Sequence, residues 1–330
     1  MVDRRTFLKG AGLTTATGIA GLSGCLGEVT DEDTVRLILT PAEDDVAILN
    51  QWEPMFDYLE AETGYEIDAD VAADITAVHE ALNANQAEIA DASPTLAVHS
   101  VMNEEVADVI GIRVAFGAAQ YFSLITTLPD SGIDSLSDLE GDEIALGDPS
   151  STSGSLVPLL MLHEAGLDIG NAPEGTANDL DITFTDDHAR AREEMVTRSG
   201  INASGSGAFA QVGYIPQDEF EGDEHADFRE ISSEYPDNLG TALEEEDDAT
   251  ELELVATSDP IPRAPLLARS EWEGDAREDI EAALLDVTDD DLIDPDAEEE
   301  LWFTGVEPGS AEDYEPIQNL MDEIGLEMGG

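Results

Sequence analysis

Five hydroxyl side chains crowd six consecutive positions near the middle of the chain. They are Ser150, Ser151, Thr152, Ser153 and Ser155. Hydroxyl groups donate hydrogen bonds to oxyanions, and a helix N-terminus adds free backbone N–H groups to the same task. An ordinary helix cap requires only one hydroxyl. Capping therefore explains one member of this cluster, whereas an oxyanion site explains its density, and both hypotheses stay open at this point.

The residues on either side predict how the cluster is held. Residues 143–147 form a short apolar run, which predicts a buried strand, and the apolar residues that follow the cluster predict a helix ending near Gly166. The hydroxyls thus lie where a strand leads into a helix N-terminus. There the unpaired N–H groups and the positive end of the helix dipole favour an anion.

Strand-like and helical runs alternate along the rest of the chain, which predicts parallel α/β layers. With 330 residues, two lobes are expected. The runs at 111–116 and 121–128 predict a crossing between them, and a strand at 252–256 predicts the return. The Gly/Ser-rich run at 200–207 is assigned to neither strand nor helix. The predicted lobes are residues 35–118 with 256–330, and residues 119–255.

The charge balance is extreme, with 77 Asp and Glu against 12 Lys and Arg and a formal net charge of −65. The acids are spread between apolar runs, and 42% of the residues are hydrophobic, so the composition indicates a folded chain. At molar salt the Debye length falls to about 3 Å and self-repulsion is screened. The acidity therefore predicts a halophilic protein. So few basic residues argue against a nucleic-acid partner.

The first 25 residues predict an export signal. Arg4 and Arg5 form a twin-arginine motif, and Cys25 ends a segment that resembles the lipoprotein cleavage box. The stretch between them is too short and too polar to span a membrane. Cys25 is the only cysteine, so no internal disulfide and no thiolate metal site is expected. After a linker at 26–34, the domain is predicted to be anchored by lipid at Cys25 to the outer face of the cell membrane.

Several segments resemble the phosphonate-binding proteins of ABC importers. They occur in the family's order over nearly all of the chain after the leader. These segments are 80–82 with 88–90, 121–125, 138–141, 147–149, 151–154, 156–158, 258–262, Pro265 and Arg269. The serine-rich motif with its Asp-Pro and Val-Pro flanks is specific, and the other segments are weak individually.

The resemblance implies a two-lobed α/β fold of the type II periplasmic binding protein kind, with two crossing hinge segments and closure around a ligand. It implies a phosphorus oxyanion as ligand (phosphonate, phosphate or phosphite), delivery to an ABC permease, no cofactor and a monomer. The residues that match the family's ligand contacts are Tyr121, Ser151, Thr152, Ser153 and His188.

Three positions depart from the pattern of the aminophosphonate binders. Ile75 occupies the position of a tyrosine, and Phe209 and Ala264 lie near the positions of carboxylates that hold an ammonium group. The resemblance thus implies a site that keeps its oxyanion half and lacks its amine half.

Two other functions compete with solute binding. An exported hydrolase would use Ser153 with His188 and Asp187, but residues 205–207 do not fit the nucleophile elbow of such enzymes. A calcium-binding module would use the acids at 289–291 or 294–296, which lack the spacing and central glycine of a calcium loop. A receptor for another small anion also remains open. We expect a binding protein, no enzymatic activity and no metal site.

Overall fold

The computed structural model describes residues 33–40, 48–231, 235–246, 248–292, 301 and 303–326, except for the side chains of Ile75 and Glu224. The predicted export signal, with Cys25, and most of the linker lie outside these residues. So do the acids at 294–296.

The first of two main sheets has six strands in the order β13-β4-β12-β3-β1-β2. They are β1 (Thr34–Leu39), β2 (Glu66–Val71), β3 (Ile89–Asp91), β4 (Ala107–Val114), β12 (Pro265–Arg269) and β13 (Gly305–Glu307). Strands β1, β2 and β3 pair in parallel, as the strand and helix alternation predicts. Strand β12 lies antiparallel between β3 and β4, so the sheet as a whole is mixed.

The second sheet has five strands in the order β10-β6-β9-β7-β8. They are β6 (Ser123–Thr127), β7 (Glu143–Leu146), β8 (Asp181–Phe184), β9 (Ile201–Gly207) and β10 (Glu253–Thr257). Strand β7 pairs in parallel with β8 and β9, whereas β6 is antiparallel to β9 and β10.

A two-stranded ribbon joins the two sheets. Strand β5 (Gln120–Tyr121) pairs antiparallel with β11 (Ile261–Pro262) where the chain passes from one sheet to the other in each direction. The chain thus leaves the second sheet after Thr257 and enters the first again at Pro265.

The described helices cover the faces of both sheets. They are α1 (Ile48–Thr63), α2 (Ile75–Asn83), α3 (Pro94–Ala97), α4 (Val157–Glu164), α5 (His188–Thr197), α6 (Ala226–Ile231), α7 (Tyr235–Asn238), α8 (Thr241–Glu245), α9 (Asp275–Asp286), α10 (Asp289–Leu292) and α11 (Glu315–Ile324). Asp74 caps α2 through Ala77 N, and Asp187 caps α5 through Arg190 N. None of these helices has the length and apolar character of a membrane span.

Apolar packing forms two clusters. One lies between the first sheet and helices α1 and α9, around Trp52 and Leu284. The other runs through both sheets and includes Ile317 and Leu320 of α11. Helix α11 lies against α4 beside the second sheet and against α3 beside the first. The C-terminal helix therefore contacts elements of both halves.

Strand β9 is the main element that the sequence analysis did not assign. Its residues are small because the neighbouring structure approaches closely. A Cβ atom on Gly205 would lie 2.7 Å from the Leu146 side chain and 3.0 Å from Cβ of Pro158, a residue in the first turn of α4. Glycine is depleted in strands in general, and clusters of glycine and serine are typical of loops, so the composition gives no strand signal. Here close packing of α4 overrides that preference.

Candidate functional site

The hydroxyl cluster follows β7 directly, at the carboxyl end of a parallel strand. Residues Thr152–Leu156 form a π-helical turn that continues into α4. Gly147 N donates to Gly154 O at 2.9 Å, and a Cβ atom on Gly147 would lie 3.2 Å from Gly154 Cα. Two glycines thus allow the turn to fold back on the end of the strand.

Three of the five hydroxyls stabilise this turn. Ser150 Oγ donates to Asp148 Oδ1 at 2.5 Å on the surface, and Ser155 Oγ donates to Gly147 O at 3.0 Å in the interior. Ser151 Oγ accepts from Gly154 N at 3.1 Å, which is the N-cap bond of the turn. Ordinary capping therefore explains Ser151 in part and does not explain Thr152 or Ser153.

The Thr152 hydroxyl has no hydrogen-bond partner among the described residues. The residue is 5% exposed, and its Oγ1 atom is buried with no hydrogen bond to any described residue. A buried hydroxyl without a partner costs about 1–3 kcal/mol. Native proteins rarely keep such a group unless something else satisfies it. Thr152 is therefore positioned to donate to a ligand.

Ser153 lies beside Tyr121 of the joining ribbon. Ser123 Oγ donates to Ser153 O at 2.7 Å and fixes the backbone there. Burial raises the pKa of Tyr121, and the neighbouring Ser153 hydroxyl and Arg263 partly offset that rise. The phenol thus stays protonated at neutral pH and is available as a hydrogen-bond donor.

His188 opens α5, which packs against β9, and its ring reaches the same turn. Its Nδ1 atom accepts from Gly207 N at 3.0 Å, which assigns the proton of the neutral ring to Nε2. The Nε2 atom lies 3.4 Å from Ser151 Oγ. Burial lowers the pKa of His188 to about 4, against the smaller opposing effect of Asp187. At neutral pH the imidazole is therefore uncharged and presents an N–H donor.

Gly154 makes this approach possible. A Cβ atom there would lie 2.8 Å from Ser151 Oγ and 3.0 Å from His188 Cε1. Both distances are shorter than ordinary van der Waals contacts allow. The absence of a side chain at this position lets the imidazole rest on the turn.

The positions that depart from the aminophosphonate pattern lie in different surroundings. Phe209 is 39% exposed, and its ring lies 4.8 Å from that of His188 and 6.4 Å from that of Tyr121, centroid to centroid. It thus forms an apolar wall beside the donors. Ala264 accepts from Arg113 N at 3.2 Å between β11 and β12. Ile75 begins α2, and its side chain lies outside the description.

The predicted site residues therefore come together from separate elements: the ribbon, the turn after β7 and the start of α5. Sequence reasoning missed Gly207, whose N–H fixes the histidine tautomer, and Ser123, whose hydroxyl holds Ser153. Backbone donors leave no residue-type signal. A lone serine at the start of a strand gives a signal too weak to recognise.

The geometry does not fit the hydrolase hypothesis. His188 Nε2 lies 3.4 Å from Ser151 Oγ, and its Nδ1 accepts from the backbone Gly207 N at 3.0 Å. Among the described residues, no hydrogen bond joins His188 to the proposed nucleophile Ser153 or to the Asp187 carboxylate. The Asp187 carboxylate accepts a hydrogen bond from Arg190 N as the N-cap of α5. A Ser-His-Asp triad requires an acid that orients the imidazole.

Of the acids at 289–291, Asp291 has a simple structural role, since its carboxylate accepts from the N and Oγ1 atoms of Thr288. Within the described part of the chain, no group of three His, Cys, Asp or Glu side chains is arranged to hold a metal ion.

Residues 37–314 match the family model of the periplasmic phosphonate-binding proteins of ABC transporters. The chain belongs to this family. A curated relative, the phosphate-import protein PhnD of Mycolicibacterium smegmatis, is 29% identical over 138 residues. That alignment covers 41% of this chain and 43% of the relative, so the match spans less than half of its length.

Two solved structures resemble the fold. A binding-protein component of an ABC phosphonate transporter from Pseudomonas aeruginosa is 18% identical, with a TM-score of 0.58, 88% of this chain covered and 86% of the other. PhnD1 of Prochlorococcus marinus, solved with methylphosphonate, is 12% identical, with a TM-score of 0.61 and coverages of 89% and 99%. The predicted fold class, a two-lobed α/β periplasmic binding protein, is confirmed.

Proposed function

We propose that this protein captures a phosphorus oxyanion between its two lobes and delivers it to an ABC permease in the membrane. The observation that carries the proposal is the buried Thr152 hydroxyl, which has no partner among the described residues and lies in a cradle of donors. The other donors are Tyr121, Ser151, Ser153 and the Nε2 atom of His188. The oxygens of a phosphoryl group accept several such bonds at once, which a single helix cap does not require.

The proposed ligand is phosphate, phosphite or a short alkylphosphonate, in preference to 2-aminoethylphosphonate. An ammonium group needs a carboxylate nearby, because burying an unpaired charge is costly. By the family resemblance, Phe209 and Ala264 lie near the positions where the aminophosphonate binders have carboxylates. The exposed ring of Phe209 beside His188 and Tyr121 supports an apolar substituent on the phosphorus.

Calorimetry at molar salt with phosphate, phosphite, methylphosphonate and 2-aminoethylphosphonate tests both parts of this proposal. We expect binding of at least one of the first three and weaker binding of the fourth. Phe209→Ala should weaken the binding of methylphosphonate more than that of phosphate, because only the methyl group would pack against the ring. Ser150→Ala is the matched control and should change neither affinity, since that hydroxyl bonds only to Asp148 on the surface. No binding of any of the four would refute the function, and tightest binding of the aminophosphonate would refute the choice of ligand.

We further propose that the two sheets are the cores of the two lobes, 35–118 with 256–330 and 119–255, joined by the β5–β11 ribbon as the hinge. Both passages of the chain between the sheets lie at this ribbon, which supports that division. A monomer is expected. Small-angle scattering at molar salt should show a single-chain mass and a smaller radius of gyration when ligand is added.

The family is periplasmic, and we propose that this member is exported by the twin-arginine route and anchored by lipid at Cys25. The support is the order of Arg4, Arg5 and Cys25 in the leader. Cys25→Ser should move the protein from the membrane fraction to the soluble exported fraction. Lysine at both arginine positions should stop export. Membrane retention of the serine variant would contradict the lipid anchor.

A further inference from the structure

Arg263 is a buried cation of the hinge ribbon. Its side chain belongs to a residue that is 4% exposed, directly after β11. Its backbone N donates to Ala119 O, and its Nε donates to Ala118 O, both at 2.9 Å. The guanidinium therefore ties the returning segment to the outgoing one.

No described carboxylate lies within ion-pair distance of Arg263, although the chain carries 77 acids. Its Nη2 donates to the hydroxyl of Tyr235 at 3.0 Å. By contrast, Arg113 lies 2.7 Å from Asp91, and Arg269 lies 3.7 Å from Glu88. A buried charge without a counterion is unfavourable. Its retention here suggests that the counterion arrives from outside the protein.

The guanidinium lies next to the anion cradle. Its Cζ atom is 5.0 Å from the centroid of the Tyr121 ring, and Tyr121 in turn neighbours Ser153. A guanidinium over an aromatic face is attracted to the ring. It also makes the phenol a stronger donor, because a nearby positive charge favours loss of the phenolic proton. Arg263 thus both orients Tyr121 and places a positive charge close to the proposed oxyanion.

We propose that Arg263 is the counterion of the bound anion, acting through Tyr121 as a positioning residue and selecting ligands of higher negative charge. The inference rests on the proposed function of the cradle. The charge lies in the interior, so salt screens it much less than it screens surface acids. The site can therefore attract an anion in a protein of strongly negative net charge. The charged and titratable groups around Arg263 are Tyr121, Tyr235, Tyr314 and Arg113.

The test uses Arg263→Met, which removes the charge, and Arg263→Lys, which keeps it. At molar salt and pH 8 we expect the methionine variant to bind phosphate at least about tenfold more weakly than the native protein. The reason is that a buried unit charge acts on the anion through a medium of low effective dielectric constant. The lysine variant should recover most of that loss. Arg269→Gln is the control, an arginine whose side chain is 13% exposed and lies 3.7 Å from the Glu88 carboxylate, and it should leave the affinity unchanged.

The pH profile separates a charge effect from a structural one. Phosphate gains a negative charge between pH 5.5 and 8.5, so the native protein should bind more tightly as the pH rises. Arg263→Met should flatten that profile. Equal weakening by the methionine and lysine variants at every pH would assign Arg263 a structural role only and overturn the proposal. His188 and Asp91 are present in all the variants, so the effects of their titration on affinity cancel when the variants are compared.

A second readout does not depend on the ligand. Removing the positive charge should raise the pKa of Tyr121, measured as the difference in ultraviolet titration between each variant and its Tyr121→Phe counterpart. An unchanged Tyr121 titration in Arg263→Met would refute the coupling whichever anion binds. If the native protein binds no phosphorus oxyanion but the titration shifts, the proposed function fails while the link between Arg263 and Tyr121 stands.

Discussion

Replacing Thr152 with valine should change stability and affinity in opposite directions. Valine keeps nearly the same shape and removes the hydroxyl that has no partner among the residues that the structure describes. Because an unsatisfied buried hydroxyl costs about 1–3 kcal/mol, the ligand-free variant should be at least as stable as the native protein. A charge-assisted hydrogen bond contributes about 1.5–3 kcal/mol, so the affinity for the phosphorus oxyanion should fall about 10- to 150-fold.

The matched control is Thr126→Val. Thr126 is also fully buried, but its hydroxyl bonds to Ser204 Oγ at 3.1 Å and to the side-chain oxygen of Gln211. The same substitution there should destabilise the protein by about 1–3 kcal/mol, because it leaves polar partners unsatisfied. It should leave ligand affinity nearly unchanged. Thermal unfolding and calorimetry on both variants at molar salt measure the two effects, with about 2 °C expected per kcal/mol.

Two outcomes would refute the reasoning. If Thr152→Val lowers the ligand-free melting temperature as much as Thr126→Val does, the Thr152 hydroxyl has a partner in the empty protein. If its affinity matches that of the native protein, the ligand does not contact Thr152. In the second case the whole cradle would have to be placed elsewhere.

Three further predictions concern the same region and the surface. Gly154→Ala should reduce affinity at least tenfold, because the added Cβ displaces His188 or Ser151; a normal affinity in calorimetry would show that the turn can shift freely. His188 has a folded pKa of about 4 against about 6.5 when unfolded, so the neutral ring contributes stability above pH 6.5 that is lost as the pH falls towards 4, roughly 3 kcal/mol in all. The difference in unfolding free energy between the native protein and His188→Gln should therefore change by this amount from pH 7 to 4, and parallel curves would contradict it. Lowering salt from molar to ~0.1 M lengthens screening to about 10 Å and should unfold the chain, with recovery on adding KCl, as circular dichroism can follow; equal stability in dilute buffer would count against the halophile prediction.

The fold was predictable where local sequence and tertiary structure agree. Asp74 and Asp187 cap α2 and α5 through backbone N–H groups three residues on, and such a cap is a signal that local sequence carries. Strand β9 was not predictable, since its glycines and serines follow from the approach of α4, which no local pattern records. The short strands β12 and β13 depend likewise on distant partners in the first sheet.

The candidate site was predictable in part. The hydroxyl cluster and His188 were predictable because hydroxyl and imidazole groups are hydrogen-bond donors to anions, and the structure brings them together. The sequence could not distinguish Thr152, which lacks a partner, from Ser155, which bonds to Gly147 O, because that difference depends on side-chain orientation. Nor could it indicate that Arg263 is buried without an ion pair to any described carboxylate, since burial and pairing are set by the whole fold.

Strand β9 has a consequence for mutational tolerance. Gly207 N in this strand holds the imidazole of His188, and Gly205 receives the first turn of α4. Enlarging a residue of this strand would shift two walls of the cradle at once. A saturation scan scored on ligand capture should therefore find β9 as intolerant as the donors themselves. Strand β9 should therefore tolerate as few substitutions as the residues proposed to contact the anion.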